Sequence, residues 1–180
     1  VEEDSIDLLS LVDNKLYQKN EKTLENDWIT GTPDAYIGES VENADHIIDI
    51  KSSWSLKTFL ANIGAKLNQQ YYYQLQCYMW LSGAKEGTIS YCLVSAPEML
   101  INDEKRKLLY QMNVVSEENT EYKNAAAQLE YNMIFDDIPQ KERIYKITIQ
   151  RDEEVIEKMK QKVSKAREYL TKFESLHTNN

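Results

Sequence analysis

Glycine is scarce in this chain, at 5 of 180 residues, which argues against long loops and for regular elements. Cysteine is scarcer: only Cys77 and Cys92, both inside apolar stretches and without metal-ligand spacing. They read as buried thiols of a reducing cytosol. No apolar run approaches the 18 or so residues of a membrane helix, and no signal-peptide pattern is present, so a soluble cytoplasmic protein is expected. Positive charge is in deficit, with 21 Lys and Arg against 30 Asp and Glu, a net −9. That argues against a protein that coats nucleic acid by bulk electrostatics. It leaves room for an enzyme that grips DNA locally, because clustered carboxylates also hold divalent metal.

What is present is the profile of a globular domain: 42% hydrophobic and 28% charged residues, with 12 tyrosines. The length suits one domain over residues 1–180 with a real core. The chain starts on Val1 rather than Met, so an upstream piece is expected to be missing and the first helix to be truncated.

Along residues 2–17, Ile6, Leu9, Val12 and Leu16 recur at helical spacing, with Glu2 on the face of Ile6 and Leu9. Trp28-Ile29 reads as a strand leading into Gly31-Thr32-Pro33, and Ala35-Tyr36-Ile37 as the next. After a polar loop from Gly38 to Asp45, the β-branched run His46 to Lys51 reads as a central strand. These look like an antiparallel pair, the first strand carrying Asp34 and the second Asp49. Residues 55–82 read as helix in two pieces, broken near Asn62-Ile63-Gly64. Gly87 to Ala96 is a buried strand closed by Pro97, residues 103–132 are helical, and Arg143 to Ile149 is a strand. The final helix, 152–173, sets Val155, Ile156, Met159, Val163, Ala166, Tyr169, Leu170 and Phe173 on one face. Its start, Asp152-Glu153-Glu154, suits the helix dipole. The element order predicts the α/β class, with a central mixed β-sheet flanked by helices.

The chemistry sits in Pro33-Asp34 and Asp49-Ile50-Lys51. Phosphodiester hydrolysis at neutral pH needs an activated water and neutralised phosphate charge, which Mg2+ supplies when hard oxygen ligands are fixed close together. Acids on adjacent strands are such ligands, and the backbone carbonyl of Ile50 is a further one. Lys51, two residues after Asp49, faces the same side of its strand. It can orient or deprotonate the attacking water, or stabilise developing charge. Asp49 and Lys51 fall in an apolar strand, where charges are costly unless paired or on metal. A structural ion pair is the alternative reading.

These residues resemble the PD-(D/E)xK nuclease superfamily, and within it the phage-type exonucleases (lambda and YqaJ-like) and RecB-like domains. Gly31-Thr32-Pro33-Asp34 looks like that branch's first motif strand, and Asp49-Ile50-Lys51-Ser52-Ser53 like its second. Gln74 and Tyr78 look like the Q-x-x-x-Y helix motif of RecB-like members. The resemblance covers roughly residues 1–100. It implies a restriction-endonuclease-like core and a Mg2+-dependent deoxyribonuclease, with Mn2+ as a substitute ion. Asp34 and Asp49 would be metal ligands and Lys51 the catalytic lysine. Gln74, with Tyr78, would touch DNA or order the catalytic shell, and an acid of the preceding helix, Glu2 or Glu3, would complete the metal set. Ser52, Ser53 and Trp54 are DNA-contact candidates. For Trp54 and Phe59 the alternative is core, for the helix around Gln74 it is amphipathic packing, and His46 reads as structural.

The implied activity is an exonuclease on linear duplex ends in phage or recombination-linked processing. DNA is the expected partner, with a single-strand annealing protein and a homo-oligomer also in view. A restriction-type endonuclease and a catalytically silent nucleic-acid-binding module are the alternatives. Two cysteines are too few for the iron–sulfur nucleases of CRISPR systems.

Overall fold

Four successive buried residues, Ile47, Ile48, Asp49 and Ile50, mark a strand covered on both faces. The structure, a computed structural model, describes residues 1–177. Helix α1 (Glu2–Asp13) is followed by strands β1 (Gln18–Lys19), β2 (Leu24–Glu25), β3 (Thr30–Gly31), β4 (Ala35–Gly38) and β5 (Ala44–Ser53). Then come α2 (Leu56–Asn62), α3 (Gln69–Ser82), β6 (Glu86–Leu93), α4 (Glu98–Gln111) and α5 (Thr120–Tyr131). Strand β7 (Ile144–Gln150) and helix α6 (Glu153–His177) close the fold.

Five strands form a sheet in the order β1-β4-β5-β6-β7, and β2 and β3 form a separate antiparallel ribbon. β4 and β5 are antiparallel, with Ala35 opposite Ile48 and Tyr36 opposite Ile47. β6 runs parallel to β5: His46 Nε2 lies 2.8 Å from Thr88 Oγ1, and further along both strands the Val94 N–H donates to Ser53 O at 2.9 Å. β7 runs opposite to β6, since Thr88 and Thr148 hydroxyls meet at 2.7 Å while Tyr91 stacks on Tyr145. The sheet is therefore mixed and flanked by helices, the α/β class that the element order predicts and consistent with the restriction-endonuclease-like core that the resemblance implies.

Two compact units can be distinguished. The first comprises Val1–Lys19, Ile50–Lys66 and Ile89–Ile147. In it α1 buries Ile6, Leu8 and Leu9 and stops at Asn14, whose φ of 50° is left-handed. Ser5 Oγ meets Ser52 Oγ at 2.7 Å, tying α1 to the end of β5. Asp13 accepts from Lys146 Nζ on β7 and from the Tyr17 hydroxyl. Helices α4 and α5 pack together, with an ion pair between Lys105 and Glu130. Cys92 is buried here, and burial pushes its thiol up to about 11.

The second unit comprises Asn20–Asp49, Leu67–Thr88 and the chain from Thr148 onward. Helix α3 starts at Asn68, whose side chain accepts from Gln70 N–H, and ends at Gly83 with φ 80°, a conformation that favours glycine. It buries Leu75, Gln76 and Met79, with Tyr71, Tyr72 and Trp80 half-buried. Asp152 Oδ1 accepts from the N–H groups of Glu154 and Val155, capping α6. Cys77 Sγ lies 3.6 Å from Met159 Sδ, joining α3 to α6.

Several expectations change. The first helix stops short of residue 17, leaving Leu16 81% exposed. Trp28-Ile29 is a turn, not a strand, because Asn26 Oδ1 accepts from both N–H groups and folds β2 back onto β3. Residues 103–132 split into two helices at a turn where Asn113 takes φ 53°. Of the apolar face of α6, Ile156 is buried, whereas Tyr169, Leu170 and Phe173 are exposed and Tyr169 stacks on Phe173 instead. Among the described residues no helix is long and apolar enough to cross a membrane.

Candidate functional site

Continuing the β4–β5 register one residue beyond the Ala35–Ile48 pair brings Asp34 level with Asp49. The Asp34 carbonyl turns the other way, accepting from the Asn20 N–H at 2.9 Å. The two acids thus stand at the same end of the β4–β5 pair, Asp34 at a bend just before β4 and Asp49 within β5. Asp49 is 1% exposed and Asp34 is half-buried. Two carboxylates so placed repel one another, and a divalent cation between them relieves that repulsion.

Along β5, Asp49 is followed by Ile50 and then Lys51, half-buried and on the same side of the strand as Asp49. The two hard carboxylates fit Mg2+, an ion commonly held by one or two carboxylates with several waters retained. Among the described residues no group of three or more His, Cys, Asp and Glu side chains converges to hold a metal. Glu2 and Glu3 are both exposed in the first turn of α1, and Glu3 pairs with Lys19 at 3.0 Å.

The strand before Asp34 is fixed by packing from α3. A Cβ on Gly31 would lie 2.8 Å from Tyr78 Cε1, so glycine at this position lets the Tyr78 ring approach β3 this closely. Gln74 Nε2 donates to the Tyr78 hydroxyl at 2.8 Å. The Gln74/Tyr78 pair thus exists as a hydrogen-bonded unit on α3, and Tyr78 braces the segment that delivers Asp34.

Ser52 is engaged with Ser5, and Ser53 is buried with its carbonyl bonded to Val94. Trp54 is 44% exposed rather than core, whereas Phe59 is core. Trp54 lines a groove of about 560 Å3 with Leu100, Leu108, Leu129 and Met133. His46 is structural, lying between Thr88 and Glu86.

One residue was not singled out in the sequence. Asn20 is 7% exposed, and its side-chain amide donates to Pro33 O and to Lys22 O, each at 2.8 Å. Its Oδ1 accepts from Lys22 N–H, an Asx turn that an Asn in a polar stretch permits but does not announce.

With this geometry in hand, the solved structures that match are informative. The chain has the fold of two exonucleases. A phage-related exonuclease from Haemophilus somnus 129PT matches 97% of this chain and 69% of its own, at 28% identity and a TM-score of 0.67. The alkaline exonuclease LHK-Exo from Laribacter hongkongensis matches 97% of this chain and 68% of its own, at 15% identity and a TM-score of 0.60. LHK-Exo in complex with dAMP gives the same identity and TM-score over 67% of that chain. No protein-family model and no curated protein matches this chain.

Proposed function

We propose that this chain is a divalent-metal-dependent deoxyribonuclease of the PD-(D/E)xK type, an exonuclease acting on the ends of linear duplex DNA in phage or recombination-linked processing. The observation that carries the reading is the antiparallel register of β4 and β5, in which Asp34 directly precedes and Asp49 directly follows the Ala35–Ile48 pair, with Lys51 two residues further along β5. The likeness of nearly the whole chain to a phage-related exonuclease supports it.

In this reading Asp34, Asp49 and the Ile50 carbonyl hold Mg2+, or Mn2+ in its place. The ion, when bound, supplies Lewis acidity toward the phosphate and lowers the pKa of a bound water. Lys51 sets its ammonium beside the reacting phosphate, where it orients the attacking water and offsets charge developing on the non-bridging oxygens. Gln74, oriented through Tyr78, orders the polar shell around the acids. Ser52 and the exposed ring of Trp54 meet the DNA strand, and the burial of Ser53 limits it to its backbone. A homo-oligomer and a partner annealing protein belong to the same reading.

Purified protein with Mg2+ or Mn2+ should shorten linear duplex DNA from its ends and spare closed circles. Lys51→Ala should lower the rate at least about a hundredfold while the circular dichroism stays that of the wild type. Equal cutting of linear and closed circular duplex would remove the exonuclease assignment. Asp49→Asn should abolish calorimetric Mn2+ binding, and unaltered binding would refute the metal site.

A further inference from the structure

We infer that Asn20 is a positioning residue for Asp34, fixing the first acid in the register that faces the second. The inference rests on the metal-dependent reading above. Asp34 precedes β4 by one residue and follows Pro33, which has no N–H to donate. Pro33 thus offers only its carbonyl to hold the backbone, and the Asp34 carbonyl is held beside it.

Asn20 holds both carbonyls. Its side-chain Nδ2 donates to Pro33 O at 2.8 Å, and its backbone N–H donates to Asp34 O at 2.9 Å. Those carbonyls belong to the two peptide planes flanking the Asp34 Cα. With both planes held, φ and ψ of Asp34 are set and so is the direction of its Cα–Cβ bond. A slip of one residue would turn the carboxylate to the other face of the sheet.

The clamp is also locked against rotation. The second Nδ2 hydrogen goes to Lys22 O at 2.8 Å, and Oδ1 accepts from Lys22 N–H at 2.9 Å. A flipped amide would set its oxygen against two carbonyls, and at 7% exposure little water reaches it to compensate. Both Nδ2 hydrogens and the Oδ1 of Asn20 are engaged with backbone groups. Its effect on chemistry runs through Asp34. Misplacement of a catalytic group by about 1 Å costs on the order of a hundredfold in rate, so a clamp on one ligand is consequential.

The test is calorimetric Mn2+ titration of wild type, Asn20→Ala and Asn20→Ser, at a temperature where circular dichroism shows all three folded without metal. Affinity should fall at least about tenfold in Asn20→Ala, with Asn20→Ser in the same direction if Asn20→Ala fails to fold. In the nuclease assay the half-saturating Mn2+ concentration should rise in parallel, and raising Mn2+ should restore the rate. A role confined to stability would move the melting temperature and leave the affinity of the folded protein alone. Wild-type affinity in both variants overturns the clamp while leaving the metal site standing. A wild-type protein that binds neither Mn2+ nor Mg2+ overturns the metal reading and the clamp with it.

Discussion

The ring of Tyr78 lies so close to Gly31 that a single added carbon on the glycine would stand 2.8 Å from Tyr78 Cε1. The contact joins α3 to the strand that leads to Asp34, and the Tyr78 hydroxyl also receives the Gln74 amide at 2.8 Å. The Gln74/Tyr78 motif, which the resemblance gives as touching DNA or ordering the catalytic shell, thus also packs on β3.

Gly31→Ala should therefore destabilise the protein by about 1–3 kcal/mol, the usual cost of overpacking a tight contact. Urea denaturation measures it. Adding Tyr78→Leu should recover part of the loss, and additive effects of the two substitutions would show that they do not share this contact.

Gln76 is fully buried on α3 and bridges Gln150 O and Asp152 N–H, each within 2.9 Å, at the junction of β7 and α6. Gln76→Leu leaves both backbone groups without that partner, at about 1–3 kcal/mol each. Loss of amide hydrogen-exchange protection at the start of α6 should accompany the drop in stability. Retained protection there would show that the bridge is dispensable.

Asp13 and Tyr17 shape the pH profile of stability. Burial tends to raise the Asp13 pKa, but the hydrogen bonds from Lys146 and Tyr17 outweigh it and hold the carboxyl below its ordinary 3.8. Its contribution is present above about pH 3.8 and is lost as pH falls through the lower, folded-state value. Burial, then the hydrogen bond to Asp13, pushes Tyr17 upward from 10.0. That contribution is full below pH 10 and is lost as pH climbs toward the raised value. Asp13→Asn should flatten the acid limb of a stability–pH curve and Tyr17→Phe the alkaline limb. Limbs unchanged in both variants would remove these groups from the account.

Trp54 follows the end of β5 and is 44% exposed, its other half lining an apolar groove, so Trp54→Ala should lower folding stability by about 1–3 kcal/mol. If its ring stacks on a base, DNA affinity should fall by about 1–3 kcal/mol. Fluorescence titration of the catalytically silenced protein with duplex ends reads this directly. A stability loss with unchanged affinity would make Trp54 a packing residue only.

The central strand and the acid pair were legible because both are local. The run Ile47 to Ile50 reads as buried strand from composition, and Asp49 within it stands out because charge is rare there. Asp34 follows Pro33, which punctuates the chain. The ribbon of β2 and β3 was not legible, since each strand is two residues long and exists through pairing rather than propensity. Trp28-Ile29 has strand-forming side chains, yet Asn26 captures both N–H groups for a turn. Asn20 was missed for a similar reason: its partners Pro33 and Asp34 are more than ten residues away, and a polar side chain does not reveal which carbonyls it will reach. On α3 the buried Gln76 contradicts its polarity, because two backbone groups at a distant junction satisfy it.

The register that brings Asp34 and Asp49 to the same end of β4 and β5 has an entropic side. It is made by a hairpin that closes over the residues between 34 and 49, whereas the contact of His46 with Thr88 on the other edge of the same strand spans 42 positions. Loop-closure entropy grows with length, by about 0.6 kcal/mol per doubling. Bringing the two acids level is thus the cheaper of the two closures around β5. The electrostatic repulsion between them is met within a short stretch of chain, whereas the crossover to β6 closes a longer loop.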